Sequence, residues 1–342
     1  MSLSPSNNYH YYSIHDILHI RSNVDLPIPN YFRISPPTEH LEFDIDVSEE
    51  SLSLPFAESE MHRCSIFFVG HNESQLAIDY KLPLLNVKLL LTDLEYHTRI
   101  SFTKDFQRFG DLTNLFNTIL LFKFIQKGYT LVHSGCISTP DSCYLISGMR
   151  DTGKTSTVLS LVNGDQTKFM SDDLTIISQN GEAFSYPTPV GISPYTLTGA
   201  SISYSPPSWK QWIAKHQLLL FGLESIFNFE LSKRLDVPSS LLDSSGIVSE
   251  VFLLRSANKN KISPVPSSVA VQKLLMTTTE LIDPFRIYSL NFYSYYTGFD
   301  SSALFEKEKN IIENALSDVN CYDVCANNVK EFHRLIKKQV EL

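Results

Sequence analysis

The chain has 342 residues, of which 43% are hydrophobic and 19% are charged, and its formal net charge is −9. This composition is typical of a globular protein with a large buried core, and the length allows two domains or one large domain. The negative charge argues against general nucleic-acid binding, which needs a basic surface, although one locally positive pocket can still bind a single nucleotide.

No segment of the sequence has the pattern of a secretion signal or of a membrane span. Residues 1–13 are polar and aromatic, without a basic start followed by an apolar core. The longest apolar stretch, 112–125, is interrupted by polar residues and is too short to cross a bilayer. The odd number of cysteines, five, is typical of free thiols in a reducing compartment. We therefore expect a soluble, cytoplasmic protein without membrane contacts.

The first 110 residues predict a small, mostly β domain. Short β-like runs, such as 65–69 and 87–91, alternate with turn residues and prolines. A helix is predicted next over 111–127, with Asp111 as its N-cap and Gly128 after its end. Its apolar residues recur near helical spacing, which predicts one buried face.

Residues 111–342 are expected to form a nucleotide-binding domain of the α/β class. Its first strand is predicted over 129–137, with His133 and Gly135 inside it. A turn then leads to a strand at 143–147, and a helix is predicted over 155–162.

Between this second strand and the helix lies a match to the phosphate-binding pattern G-x-x-x-x-G-K-[ST]. In such a loop the backbone amides surround phosphate oxygens, and the N-terminus of the next helix adds partial positive charge. Lys154 is expected to reach the β- and γ-phosphates of ATP or GTP, and the Thr155 hydroxyl to bind Mg²⁺. The residues expected to bind the nucleotide are Gly148, Met149, Arg150, Asp151, Thr152, Gly153, Lys154, Thr155 and Ser156.

Asp172 and Asp173 follow the helix at the distance that a strand–helix–strand crossover requires. Both carboxylates are therefore expected at the C-terminal edge of the sheet, where α/β proteins bind ligands. One can hold Mg²⁺, and the other can accept the proton of an attacking hydroxyl; the alternative is a solvated surface turn. His133 can contact a phosphate or orient an acid, or it can be an ordinary buried histidine.

The later segments give weaker patterns. Residues 193–246 mix Ser, Pro and Trp without a dominant period, and we interpret them as an insert or lid. A strand is predicted at 249–254, and the aromatic run at 292–296 is β-like. Helices are predicted over 267–276, 302–316 and 328–338.

The order of these motifs resembles the catalytic domain of the HPr kinase/phosphorylase family, whose fold is related to that of phosphoenolpyruvate carboxykinase. The resemblance covers residues 129–178, about a seventh of the chain, and includes His133-Ser134-Gly135, the glycine-rich motif and Ser171-Asp172-Asp173. It implies a P-loop core in which helices flank a mixed sheet. It also implies that the loop binds ATP or pyrophosphate and that His133 lies near the phosphates. On this resemblance Asp172 and His133 are catalytic, whereas Thr155 and Asp173 hold the metal; the roles of the two acids can be exchanged.

Two features depart from the family pattern. The family loop ends in Gly-Lys-Ser-Glu, and its glutamate helps to bind metal, whereas Ser156 stands at that position here. The arginine- and asparagine-rich segment that the family uses for its protein substrate is not evident after Gly191. We therefore expect an HPr-kinase-like enzyme that phosphorylates another hydroxyl, on a protein serine or a small molecule.

Two other functions compete with the kinase. The first is a nucleotide-binding regulator or scaffold with little turnover, which the missing glutamate favours. The second is a P-loop ATPase of the motor or transport type, which is disfavoured because the apolar run before the Asp pair is short. Any of these proteins could form homo-oligomers.

Overall fold

The described part of the chain contains two mixed β-sheets, a small two-stranded antiparallel sheet and seven α-helices, so the protein belongs to the α/β class. The structure is a computed structural model that describes residues 9–38, 40–64, 66–162, 166–192, 233–235, 237–282 and 287–341. The insert or lid predicted at 193–246 lies largely outside the described residues.

The strands and helices have the following bounds. The strands are β1 His10–Ile14, β2 Leu18–Ser22, β3 Arg33–Ile34, β4 Ile45–Glu49, β5 His62–Cys64, β6 Phe67–His71, β7 Gln75–Tyr80, β8 Val87–Thr92, β9 Thr98–Phe102, β10 Tyr129–Val132, β11 Ser134–Ser138, β12 Cys143–Gly148, β13 Lys168–Ser171, β14 Thr175–Ser178, β15 Glu182–Phe184, β16 Val190–Ile192, β17 Lys233–Leu235, β18 Ser245–Ser256, β19 Lys261–Val265 and β20 Asn320–Ala326. The helices are α1 Lys104–Phe109, α2 Leu112–Gln126, α3 Lys154–Leu161, α4 Ser267–Leu281, α5 Tyr288–Thr297, α6 Ser301–Ala315 and α7 Val329–Gln339.

Two expectations from composition can be compared with these elements. All five cysteines carry free thiols, as the odd count predicts. Within the described residues, every helix is too short or too polar to cross a bilayer.

The chain divides into two compact units, each built from two separate stretches. The first contains Met1–Thr130 and Thr279–Ile311, and the second contains Leu131–Thr278 and Ile312–Leu342. The boundary that the sequence predicts after residue 110 falls inside the first unit. Helix α2 follows that position and hydrogen-bonds to the backbone of residues 94 and 96, which also belong to the first unit.

A nine-stranded sheet, in the order β3-β1-β2-β4-β9-β8-β7-β6-β5, forms the first unit. Its strands pair antiparallel except where β4 pairs in parallel with β2 and β9. Alternate side chains of β8 are fully buried, as expected when one face of a strand lies on a core. The strand predicted at 87–91 is confirmed by β8.

Helix α2 confirms the helix predicted at 111–127, but the prediction of a single buried face is wrong. Eleven of its 15 residues are buried, so protein surrounds the helix. Lys123 is only 2% exposed, and its ammonium donates a hydrogen bond to Tyr96 O over 2.8 Å. Burial lowers the pKa of Lys123 to about 8.

The aromatic run at 292–296 lies in helix α5, so its prediction as β-like is wrong. Aromatic residues favour strands only through their packing, and here the packing favours a helix. Tyr293 points inward, where its hydroxyl donates to Ser74 O over 2.9 Å and accepts from the Leu94 amide over 3.2 Å. The helices predicted over 267–276, 302–316 and 328–338 are confirmed by α4, α6 and α7.

The second unit is built on a sheet in the order β10-β14-β15-β18-β12-β11-β13, with β20 paired to β18 and β19. Strands β12, β18 and β20 run parallel. Strand β11 runs antiparallel to both β12 and β13, so these two strands point in the same direction. The C-terminal ends of β12, β13, β18 and β20 therefore lie at one edge of the sheet.

Successive residues of β12 and β18 contribute to two different hydrophobic clusters. Leu145 and Leu253 pack with residues of α4 and the end of α6, whereas Ile146 and Phe252 pack with residues of α3 and α7. Because successive strand side chains point to opposite faces, helices cover both faces of this sheet. Burial on both sides explains why β12 reads as a continuous apolar run rather than as an alternating one.

The single strand predicted at 129–137 is two strands, with His133 between them. β10 lies next to β14, whereas β11 pairs with β12 and β13. The prediction is wrong because the chain changes pairing partners at His133, and an apolar run alone cannot reveal such a change.

Gly135 allows α3 to approach β11 closely. A Cβ built there would lie 2.4 Å from Val158 Cγ2 and 3.3 Å from the carbonyl oxygens of Ser171 and Asp172.

We expect Gly135→Ala to lower the free energy of unfolding by about 1–3 kcal/mol, the usual cost of overpacking. In a Val158→Ala background the methyl that would be hit is absent, so the same change should cost clearly less. Equal costs in the two backgrounds, measured by denaturant unfolding, would contradict this packing account.

Candidate functional site

The glycine loop, residues 148–153, connects β12 to α3 at the edge where the parallel strands end. Gly148 is buried, whereas Met149, Arg150 and Asp151 are exposed. The loop turns back through Thr152, whose amide and hydroxyl both donate to Met149 O, over 3.3 and 2.7 Å. This turn sets the direction in which the backbone enters the helix.

Two residues of the loop have left-handed backbone angles. The φ angle is 62° at Asp151 and 91° at Gly153. Aspartate tolerates this region better than most residues, and glycine adopts it without steric cost. The second glycine of the motif is therefore required by the shape of the loop itself.

Helix α3 begins directly after Gly153, which has no side chain that could cap it. Its first hydrogen bond is donated by Thr157 to Gly153 O over 3.0 Å. Helix geometry leaves the amides of the first turn without intrahelical acceptors, and the helix dipole adds partial positive charge there. Such an N-terminus is suited to bind an anion.

The first turn of α3 is hydrogen-bonded to the Asp pair. Thr155 Oγ1 donates to Asp172 Oδ2 over 2.9 Å. Asp172 follows β13 directly and is 2% exposed. Its second oxygen, Oδ1, is buried and has no hydrogen-bond partner in the described part of the chain.

Burial of the Asp172 carboxyl group, together with the nearby charge of Asp173, raises its pKa to about 7. The charge of Lys154 and the hydrogen bond from Thr155 act in the opposite direction, but they do not compensate for the loss of hydration. The fold thus holds a carboxyl group where its charged form is poorly solvated. Such perturbed groups are concentrated at functional sites.

Lys154 lies close to both acids of this pair. Its side chain is 8% exposed, and Nζ lies 3.5 Å from Asp173 Oδ1. The Asp173 side chain is 55% exposed, so this acid faces the solvent at the mouth of the site. The structure therefore brings Lys154, Thr155, Asp172 and Asp173 together, with one acid buried and one exposed.

His133 precedes β11 and is fixed by helix α4. Its amide donates to Thr278 Oγ1 and its ring Nδ1 contacts Thr277 O, both over 2.9 Å. Since a carbonyl only accepts, this contact requires a proton on Nδ1. His133 O in turn accepts from Ser147 Oγ over 2.8 Å, which ties it to the strand before the glycine loop.

Thr277 and Thr278 were not predicted as site residues. They lie on α4, far along the chain from the glycine motif, and a threonine run in a helix is not associated with any kind of site. Only the packing of α4 against the sheet brings them to His133.

No protein-family model matches the chain, and no curated protein matches it.

The pKa of Asp172 predicts how stability depends on pH. Between pH 4 and 7 the folded protein binds more protons at Asp172 than the unfolded chain, so the free energy of unfolding falls as pH rises through this window. Asp172→Asn removes the ionisable carboxyl group, and with it this loss of stability at high pH. We expect the variant to be more stable than the wild type by about 2–4 kcal/mol at pH 8, and by much less at pH 4.5.

Denaturant unfolding at the two pH values measures this difference. Asp173→Asn is the matched control, because that side chain is 55% exposed and its change should shift stability by less than about 1 kcal/mol. A stability gain from Asp172→Asn that is the same at both pH values would contradict the assigned burial.

Proposed function

We propose that the protein is a phosphotransferase that moves the γ-phosphoryl group of ATP or GTP to a hydroxyl acceptor with the help of Mg²⁺. The observation that carries the proposal is the 2.9 Å hydrogen bond between Thr155 and Asp172 beneath the glycine loop. In nucleotide-binding loops of this type, the hydroxyl after the lysine and an acid from a neighbouring strand hold the metal. The bond brings the end of β13, which carries both Asp172 and Asp173, to that hydroxyl.

The polyphosphate would lie across the glycine loop. The uncapped first turn of α3 offers backbone donors and partial positive charge. Lys154 is held close by Asp173, and a charged phosphate would compete for its ammonium. These groups would stabilise the charge of the transferring phosphoryl group, which supplies most of the rate in this chemistry.

The donor atoms near Lys154 suit Mg²⁺. Thr155, Asp172 and Asp173 present only oxygen, the ligand type that Mg²⁺ prefers, and Asp172 Oδ1 is buried and unpartnered. Within the described residues no group of three or more His, Cys, Asp or Glu is placed to hold a metal. Mg²⁺ does not require one, because it is usually bound by one or two carboxylates and the substrate phosphates. We assign Thr155 and Asp173 as its ligands; when bound, the ion would neutralise charge on the phosphate oxygens.

Asp172 Oδ1 is the candidate acceptor for the proton of the attacking hydroxyl. It is buried beside the first turn of α3, and its orientation is set by the bond from Thr155 to Oδ2. His133 is the second catalytic candidate. The contact to Thr277 O keeps a proton on its Nδ1, so Nε2 is the ring atom that can accept or donate a further proton.

We also propose that the second unit has the P-loop core of the HPr-kinase-like family. Three motifs carry the resemblance, and each lies at the same sheet edge: His133-Ser134-Gly135 at the start of β11, the glycine loop after β12, and Ser171-Asp172-Asp173 after β13. This arrangement supports the proposal because the family chemistry needs all three motifs around one phosphate group.

A nucleotide-binding regulator with little turnover is the second candidate. The observation that favours it is Ser156, which stands where the family has a metal-binding glutamate and is only 7% exposed. A buried serine at this position cannot supply the missing carboxylate. Both functions require nucleotide binding, and they differ in phosphoryl transfer.

Nucleotide binding is tested with Lys154→Ala. We expect the affinity for Mg·ATP, measured by isothermal titration calorimetry, to fall about 10- to 100-fold, because a charged hydrogen bond to phosphate is lost. Lys168→Ala is the matched control, since Lys168 is an exposed lysine at the other end of β13. Equal effects of the two substitutions would argue against phosphate binding at the glycine loop.

Transfer is tested with γ-labelled ATP, Mg²⁺ and pools of proteins and small molecules from cell extract. We expect label on an acceptor hydroxyl, and Asp172→Asn should reduce transfer about 10²- to 10⁴-fold while ATP still binds. Binding without transfer or hydrolysis by the wild type would favour the regulator. Transfer that Asp172→Asn leaves unchanged would remove Asp172 from the mechanism.

A further inference from the structure

Both ends of the glycine loop lie close to β18 and α7, whereas the Asp pair lies on the other side of the loop. A Cβ built on Gly148 would lie 3.2 Å from Leu254 Cβ, near the end of β18. A Cβ built on Gly153 would lie 2.7 Å from Val329 Cγ2, in the first turn of α7. The loop is therefore bordered by the acids on one side and by the ends of β18 and β20 on the other.

Four exposed asparagines lie where these strands end, Asn258, Asn260, Asn327 and Asn328, and hydrogen bonds link the last three. Asn327 and Asn328 connect β20 to α7, and Asn260 lies in the turn between β18 and β19. Asn260 Oδ1 accepts from the Asn327 amide over 3.2 Å, and its Nδ2 donates to Glu331 Oε2 over 2.9 Å. Both functional ends of Asn260 are thus used, one on the backbone of Asn327 and the other on the side chain of Glu331.

These contacts also orient the side chain of Asn327. Asn328 Oδ1 caps α7 by accepting from the Glu331 amide over 3.1 Å, so Asn328 Nδ2 is left to donate to Asn327 Oδ1, over 2.7 Å. The two N–H donors of Asn327 Nδ2 have no acceptor in the part of the chain that the structure describes. A polar side chain is therefore held in one orientation, with its donors directed to the solvent.

The distance from this group to the glycine loop suits one nucleotide. β20 is two strands away from β12, which corresponds to about 10 Å. Gly148 of β12 pairs with Leu254 of β18, and Leu254 pairs in turn with Val324 of β20. Asn327 follows the end of β20, so it projects beyond the same sheet edge as the glycine loop. Met149 adds apolar surface on the loop, because its side chain is 51% exposed.

We propose that Asn327 and Asn328, positioned by Asn260, form the subsite for the nucleoside part of the nucleotide. This inference rests on the proposed function, which places the terminal phosphates at Thr155 and the Asp pair. The nucleoside must then leave the loop away from the acids, and the bordering wall on that side carries these amides. Side-chain amides bind the ring nitrogens and carbonyls of a base or the hydroxyls of a ribose, and the exposed Met149 offers an apolar contact to a base.

The experiment compares two ligands, Mg·ATP and inorganic tripolyphosphate with Mg²⁺, by isothermal titration calorimetry. Tripolyphosphate carries the phosphates but no nucleoside. We expect Asn327→Ala to weaken ATP binding about five- to tenfold and to leave tripolyphosphate binding unchanged. Asn328→Ser should also act on ATP alone, because serine keeps the helix cap but lacks the amide donor.

The control is Asn180→Ala, which removes an exposed asparagine in the turn before Glu182, next to the start of β18 and thus at the opposite sheet edge. It should change neither affinity, and thermal unfolding should be similar for all three variants. If Asn327→Ala and Asn328→Ser change neither affinity, or weaken both ligands equally, the nucleoside subsite is overturned. If the wild type binds neither ligand, the proposed function fails as well.

Discussion

The bond between Thr155 and Asp172 joins the two parts of the chain on which the site depends. Thr155 lies in the first turn of α3, and Asp172 follows β13, so the contact fixes a helix end relative to a strand end. It is possible only because β11 lies between β12 and β13 and runs antiparallel to both. Sheet topology therefore determines which side chains meet at the glycine loop.

The same contact carries an energetic disadvantage. One oxygen of Asp172 is buried without a partner, and an unsatisfied buried charge is among the more destabilising features a fold can contain. The surrounding unit tolerates it because hydrophobic clusters pack on both faces of the sheet. A group that opposes folding in this way is retained more readily for binding or catalysis than for stability.

Local patterns predicted the elements of the site better than their surroundings. The glycine motif, with a strand before it and a helix after it, lies where sequence reasoning expected it, because the left-handed φ angle at Gly153 is a local backbone requirement. The break at His133 and the helix at Tyr288–Thr297 were missed, because both depend on pairing or packing with distant residues. Thr277, Val329 and Asn327 gave no local signal, since only the tertiary fold brings them near the loop.

The division of the second unit into two stretches affects the order in which it can form. Strand β20 pairs with β18 and β19, and α7 contacts the glycine loop, yet both come from the final stretch of the chain, Ile312–Leu342. During synthesis, β12, β13 and β18 leave the ribosome while their last neighbour has not yet been made. The sheet therefore remains with an open edge until β20 has been made, and contacts of such long sequence separation form slowly. During that interval the unpaired backbone groups of the open edge are a template for pairing with another chain.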